Sequence, residues 1–254
     1  MIKVLHKALD ILEFVSYDKN RTYSLTEIAQ EIDEKPTTCA NIIKTLLDRE
    51  YVERVGKRGY KLGIMAFSIV NISGYDIELV NKAKNPLKEL SESINSSAVL
   101  SVLKNNRKHV LLRIESNSII KVNPAAMDIS DPYETSTGLV LLAYQPDSII
   151  DDLIEQNGLP LNFTNEEDYR NFLSSIRKEG YLSMTVKKEV AEVATPVKSN
   201  GNVIAAIGVY MPKYKFTPEF QKKVIESIIK TSTEISDSLE NKYENKLEKT
   251  TKRL

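Results

Sequence analysis

Residues 24–60 read SLTEIAQEIDEKPTTCANIIKTLLDREYVERVGKRGY, and few folds accommodate that pattern. Ser24 and Glu27 have the S-x-x-E spacing of a capping box, in which each side chain satisfies a backbone donor left unpaired at a helix start. Leu25, Ile28, Ala29 and Ile32 recur at helical spacing and predict a buried stripe. The polar Asp33-Glu34-Lys35 interrupts it, and Pro36 suits the first turn of a second helix, where its missing N–H costs nothing. In that helix Ile42, Ile43, Leu46 and Leu47 form the inward face, with Thr37, Asn41, Lys44 and Asp48 on the opposite side.

Any amphipathic helix has a polar side, so a merely solvated surface is one reading of that outer face. Its composition suggests another. Thr37, Thr38, Asn41 and Lys44 are short or cationic donors gathered in the N-terminal half, the half that a recognition helix presents to base edges and phosphates. Strands at 51–55 and 60–62 follow, joined by Gly56-Lys57-Arg58-Gly59, and Arg54, Lys57, Arg58 and Lys61 gather positive charge on this two-stranded hairpin. A basic hairpin after such a helix predicts a winged helix-turn-helix with its wing along the phosphate backbone. Residues 1–62 hold eleven Lys and Arg against ten Asp and Glu, and the whole chain is neutral. DNA affinity therefore has to come from local placement of charge, not from bulk attraction.

Residues 3–16 place Val4, Leu5, Ala8, Leu9, Ile11, Leu12 and Val15 on one broad helical face, the predicted first helix of a three-helix domain. KALDILEFVS, SLTEIAQEID, a Thr-Thr helix and DREYVERVGKRGYKLG, in that order, resemble the N-terminal domain of the isocitrate-lyase-regulator (IclR) family of transcription factors. The family usually has Arg where this chain has Asn41, and Gly where it has Glu50. Asn pairs with adenine in a bidentate fashion, so the first departure alters the expected operator sequence and leaves the groove contact in place.

The apolar run 64–73, closed by Gly74, predicts a helix. The resemblance makes it an interdomain linker that helps hold dimers; a helix packed on the first domain is the alternative. Residues 77–94 predict another helix, broken or kinked near Asn85 by Pro86. The pattern then changes to period two, with strands at 98–104 and 108–115 around Asn105-Asn106-Arg107 and a short strand at 119–122. A loop through Pro124 and Pro132 leads to a helix at 136–143, then helices at 147–156 and 166–179. Strands at 181–187, 190–197 and 203–211 follow, with Asn200-Gly201 turning between the last two. A helix at 218–239 ends the ordered part, and the polar end is expected to fray. The expected fold is α+β in two domains: a mostly helical winged helix-turn-helix at 1–63, a linker helix at 64–76, an antiparallel-sheet domain at 77–241 and a polar tail at 242–254. G-L-V-L-L-A, the A-T-P-V strand and N-G-N-V-I-A-A-I-G-V extend the resemblance to the family's GAF-like effector-binding domain.

The resemblance implies an effector cup whose donors are Ser136, Thr137 and the backbone of Gly138, faced by Ser183, Met184 and Glu192. A helix start with free N–H groups and hydroxyls also suits an anion on physical grounds, and a plain N-cap by Ser136 or Thr137 is the competing reading. Glu192 would place negative charge there and favour an amine- or hydroxyl-bearing ligand, provided the strand register points it inward. Gly138-Leu139-Val140 replaces the family's common Gly-Lys-Ala, and Glu189 stands where it has Gly.

No P-loop, G-x-G-x-x-G or metal-ligand spacing is present, and His6 and His109 have no partnered nucleophile, so no enzyme and no cofactor or metal is expected. The single cysteine, Cys39, excludes an internal disulfide; no apolar run approaches a membrane span and no signal peptide opens the sequence, which favours the cytoplasm. The expected partners are operator DNA, a small metabolite effector and further copies of the chain in a homodimer or homotetramer. A winged helix that binds another protein is the alternative, with a small-molecule enzyme ranked behind it.

Overall fold

The computed structural model describes residues 2–18, 21–56, 59–73, 77–117, 129–186 and 189–251. Lys57, Arg58, Gly74, Pro124, Lys187 and the expected strand at 119–122 lie outside the described residues. The chain divides into two compact units, Met1–Ile77 and Glu78–Leu254.

The first unit runs α1 (Lys3–Ser16), β1 (Tyr23–Ser24), α2 (Leu25–Glu31), α3 (Pro36–Asp48), β2 (Val52–Val55), β3 (Gly59–Leu62) and α4 (Ile64–Ser73). The capping box is complete: the Ser24 hydroxyl accepts from the Glu27 amide at 3.3 Å, and the Glu27 carboxylate accepts from the Ser24 amide at 2.8 Å. Pro36 opens α3 as expected. Ile11, Ile28, Cys39 and Ile43 sit at the centre of the helical core, each buried aliphatic side chain contributing about 1.5–3 kcal/mol. The α1 face is narrower than the sequence suggests. Ile11 and Val15 are buried, Ala8 and Leu12 partly so, but Val4, Leu5 and Leu9 are 58%, 56% and 49% exposed. Packing against α3 and β3 covers one stripe at i, i+3, i+4 and i+7, and the remaining apolar residues lie outside it.

The expected hairpin forms from β2 and β3, and a third strand joins it. Tyr23 and Ser24 pair with Tyr60 and Gly59, giving a three-stranded sheet ordered β1-β3-β2. A Cβ at Gly59 would stand 2.8 Å from the Thr22 hydroxyl, so the close approach of β1 requires glycine there. Glu50 adopts φ +58°, the left-handed region that favours glycine, which accounts for the family's preference at this position. Its carbonyl accepts from the Met65 amide at 3.0 Å and so anchors the start of α4 to the first unit.

The second unit contains α5 (Ile77–Ile94), β4 (Ser97–Lys104), β5 (Arg107–Ile114), β6 (Ile129–Ser130), α6 (Ser136–Ala143), α7 (Asp147–Asn157), α8 (Glu166–Glu179), β7 (Leu182–Val186), β8 (Val190–Ser199), β9 (Asn202–Pro212) and α9 (Pro218–Thr251). Its strands form one antiparallel sheet ordered β6-β5-β4-β9-β8-β7. Ala98, Leu100 and Val102 join α5 and α9 in one core layer, while α6, α7 and α8 cover the opposite face. Asn105-Asn106 and Asn200-Gly201 all have positive φ, the conformation of a tight two-residue hairpin turn.

Three expectations are corrected. Of the break or kink expected near Asn85, the break does not occur: α5 runs through Pro86 as one helix, with Leu79, Ala83, Leu87, Leu90 and Ile94 packing both halves into one core. The backbone of α9 continues as helix to Thr251 where fraying was expected; this stretch has no Gly or Pro and is rich in Glu and Lys, which favour helix. β6 pairs with Lys108 and His109 in a stretch read as loop, since two residues carry no periodic signal. Among the described residues, no helix is long and apolar enough to cross a membrane.

Candidate functional site

Two sites can be assembled from these units. In the first, burial of Cys39, Ile42, Ile43 and Leu46 turns α3 so that Thr37, Thr38, Asn41 and Lys44 are all exposed. Arg54 is exposed on β2 with its guanidinium 6.0 Å from the Tyr60 ring centroid. Lys61, counted with the wing charge, is held by Glu53 across the β2–β3 pair at 2.8 Å. That partner offsets its charge locally, and Lys57 and Arg58 lie outside the described residues.

The second site is a cavity between the start of α6 and the sheet. Thr135, not Ser136 or Thr137, caps α6, its hydroxyl accepting from the Gly138 amide at 3.2 Å. Two glycines let the helix lie flush: a Cβ at Gly138 would meet the Pro132 carbonyl oxygen at 2.2 Å, and one at Gly208 would meet Thr137 Cγ2 at 2.5 Å. Ser136, Thr137 and Glu192 line the cavity with Thr135, Lys108, Arg113 and Tyr210, backed by Val99, Val110 and Val209. About 310 Å³ of non-atom space lies here, open solvent included, of which about 20 Å³ admits the centre of a water molecule. That is room for a water or two, so a larger guest has to displace side chains.

Glu192 is 3% exposed, and its Oε2 accepts from the Ser136 amide at 2.8 Å. Its Oε1 has no hydrogen-bond partner among the described residues. Burial holds its carboxyl above the ordinary carboxylate range, while hydrogen bonds from Ser136 and the charge of Lys108 pull it back down. Lys108 is 2% exposed, and Arg113 donates to the Tyr210 hydroxyl at 3.1 Å.

Three of the six expected cup residues therefore come together. Gly138 spends its amide on the Thr135 cap. Ser183 and Met184 are neighbours in one strand and cannot share a face. Met184 pairs with Glu192 and packs into the α6 layer, whereas Ser183 accepts from Gln221 of α9 at 3.0 Å on the other side. Sequence reasoning missed Lys108, Arg113, Thr135 and Tyr210. No local signal marks the two cations as inward. β4–β5 pairing skips Leu111, with Leu100 opposite Leu112 and Ser101 opposite Val110, and this shift brings Arg113 onto the face of Val110.

A sequence profile described as "Bacterial transcriptional regulator IclR C-terminal" matches residues 74–237, and one described as "IclR helix-turn-helix domain" matches residues 4–56. The chain belongs to the IclR family. Within it, the transcriptional regulator KdgR of Escherichia coli is 21% identical over 226 residues, 86% of each chain. The regulator BhcR of Paracoccus denitrificans is 24% identical over 243 residues, 92% of this chain and 86% of its own. Among solved IclR-family structures, a homologue from Microbacterium hydrocarbonoxydans complexed with 4-hydroxybenzoate superposes with a TM-score of 0.72 at 18% identity, covering 93% of this chain and 98% of that one. The Thermotoga maritima IclR structure gives 0.69 at 21% identity, covering 94% and 99%. At these identities the structures speak for the fold: a winged helix-turn-helix unit followed by an antiparallel-sheet domain.

Proposed function

We propose that this IclR-family chain is a sequence-specific DNA-binding regulator whose operator affinity is set by a small molecule bound in the α6 cavity. The exposed Thr37, Thr38, Asn41 and Lys44 at the start of α3 carry the reading, because that half of a recognition helix enters the major groove. Two copies would present two such helices to a pseudo-palindromic site with half-sites about one helical turn apart. Buried Lys108 and Glu192 at one cavity support ligand control, since charge buried in a binding domain serves recognition better than it serves stability. The ligand would act by binding two arrangements of the protein unequally.

Fluorescence anisotropy with DNA from just upstream of the chain's own gene, against a scrambled duplex at two salt concentrations, tests the proposal. The expected result is salt-sensitive binding that prefers the upstream DNA. Absence of binding to either duplex at low salt would sink it.

A further inference from the structure

The first turn of a helix offers unpaired N–H groups and a positive dipole end, which together attract an anion. In α6 that position is filled from within the chain. The carboxylate of Glu192, reaching across from β8, takes the Ser136 amide at 2.8 Å while Thr135 takes the Gly138 amide. Glu192 is only 3% exposed, and its second oxygen, Oε1, is unpartnered among the described residues in a cavity that it lines. Desolvating a carboxylate oxygen without a donor costs on the order of a hydrogen bond or more, so a molecule that supplies one is favoured.

We propose that Glu192 is a built-in carboxylate ligand of the α6 start. It keeps the acid group of a free ligand out of that position, and it selects a molecule that brings an N–H or O–H donor to Oε1. Lys108 and Arg113 line the same cavity on its β5 side. The inference rests on reading the cavity as a ligand site. Operator titration reads α3 instead, so the DNA-binding reading can fail without this one, and this one without it.

Acetate and acetamide have nearly the same shape, but only acetamide donates. Thermal unfolding of the full chain in each, at matched ionic strength, gives the test. Glu192→Ala deletes the four heavy atoms beyond Cβ, and acetate supplies four. Acetate is expected to raise the midpoint of that variant by roughly 2–4 °C once about four-fifths of the sites are filled. Wild type is expected to respond to acetamide and not to acetate. Glu192→Gln guards against loss of the alanine variant to misfolding. Its carbonyl retains the Ser136 amide and its NH2 faces the cavity, so its preference is also expected to turn from acetamide to acetate. Stabilisation of wild type by acetate, the same preference in wild type and variants, or no response in any of them would overturn the proposal.

Discussion

Gly138→Ala sets two effects of opposite sign against each other. Gly138 lies in the first turn of α6, where replacing glycine by alanine ordinarily stabilises a helix by about 1 kcal/mol. Here the added Cβ would stand 2.2 Å from the Pro132 carbonyl oxygen and 2.7 Å from its Cα, against the 3.4 Å at which ordinary contact begins. Relief requires about 1 Å of movement between backbone segments, which belongs at the upper end of overpacking costs, ~3 kcal/mol. The net loss is then about 2 kcal/mol, or roughly 4–8 °C in the midpoint of a chain this size. Thermal unfolding followed by circular dichroism measures it. Gly180→Ala is the control: its φ of +77° is strained for alanine, yet its Cβ meets nothing within 4 Å. That variant is expected to lose about 1 kcal/mol from backbone strain alone. A Gly138→Ala midpoint equal to or above wild type would show that the α6 start has room and that helix propensity wins.

Replacing Arg54, Lys57 and Arg58 with Ala is expected to weaken binding to operator and random DNA alike and to flatten its salt dependence by up to ~0.9 in log–log slope for each phosphate no longer neutralised; an unchanged slope removes the wing from the interface. Asn41→Ala is expected to cost about 1–3 kcal/mol on the operator and little on random duplex, and equal losses on both would make Asn41 a backbone contact. The Glu192 carboxyl lies above its ordinary value of 4.5, chiefly through burial. Its contribution is therefore fully present below the unfolded-state value and is lost as pH rises through the folded one. Urea midpoints of wild type are expected to fall relative to Glu192→Gln as pH is raised through and above 4.5; parallel curves would refute this.

What the residues determined unaided was whatever depends on near neighbours. Ser24 and Glu27 are three apart and form their capping box; Pro36 opens α3, where its missing N–H costs nothing; Asn105-Asn106 and Asn200-Gly201 take the left-handed backbone that turns a hairpin. The exposed face of α3 follows from which of its residues are apolar, so the candidate DNA-contacting residues were legible from the helical pattern alone. The ligand cavity was legible only in part, because it is a matter of strand parity and distance. Ser183 and Met184 are chemically plausible lining residues, yet the pairing of Met184 with Glu192 sends Ser183 to α9. Lys108 and Arg113 look like solvated strand residues until pairing with β4 puts Lys108 on the covered face and a register shift at Leu111 brings Arg113 onto it as well. Val4, Leu5 and Leu9 look like core until the narrow stripe covered by α3 and β3 is known. A side chain's type is local information; which face of a sheet it occupies, and what covers that face, is decided by partners far along the chain.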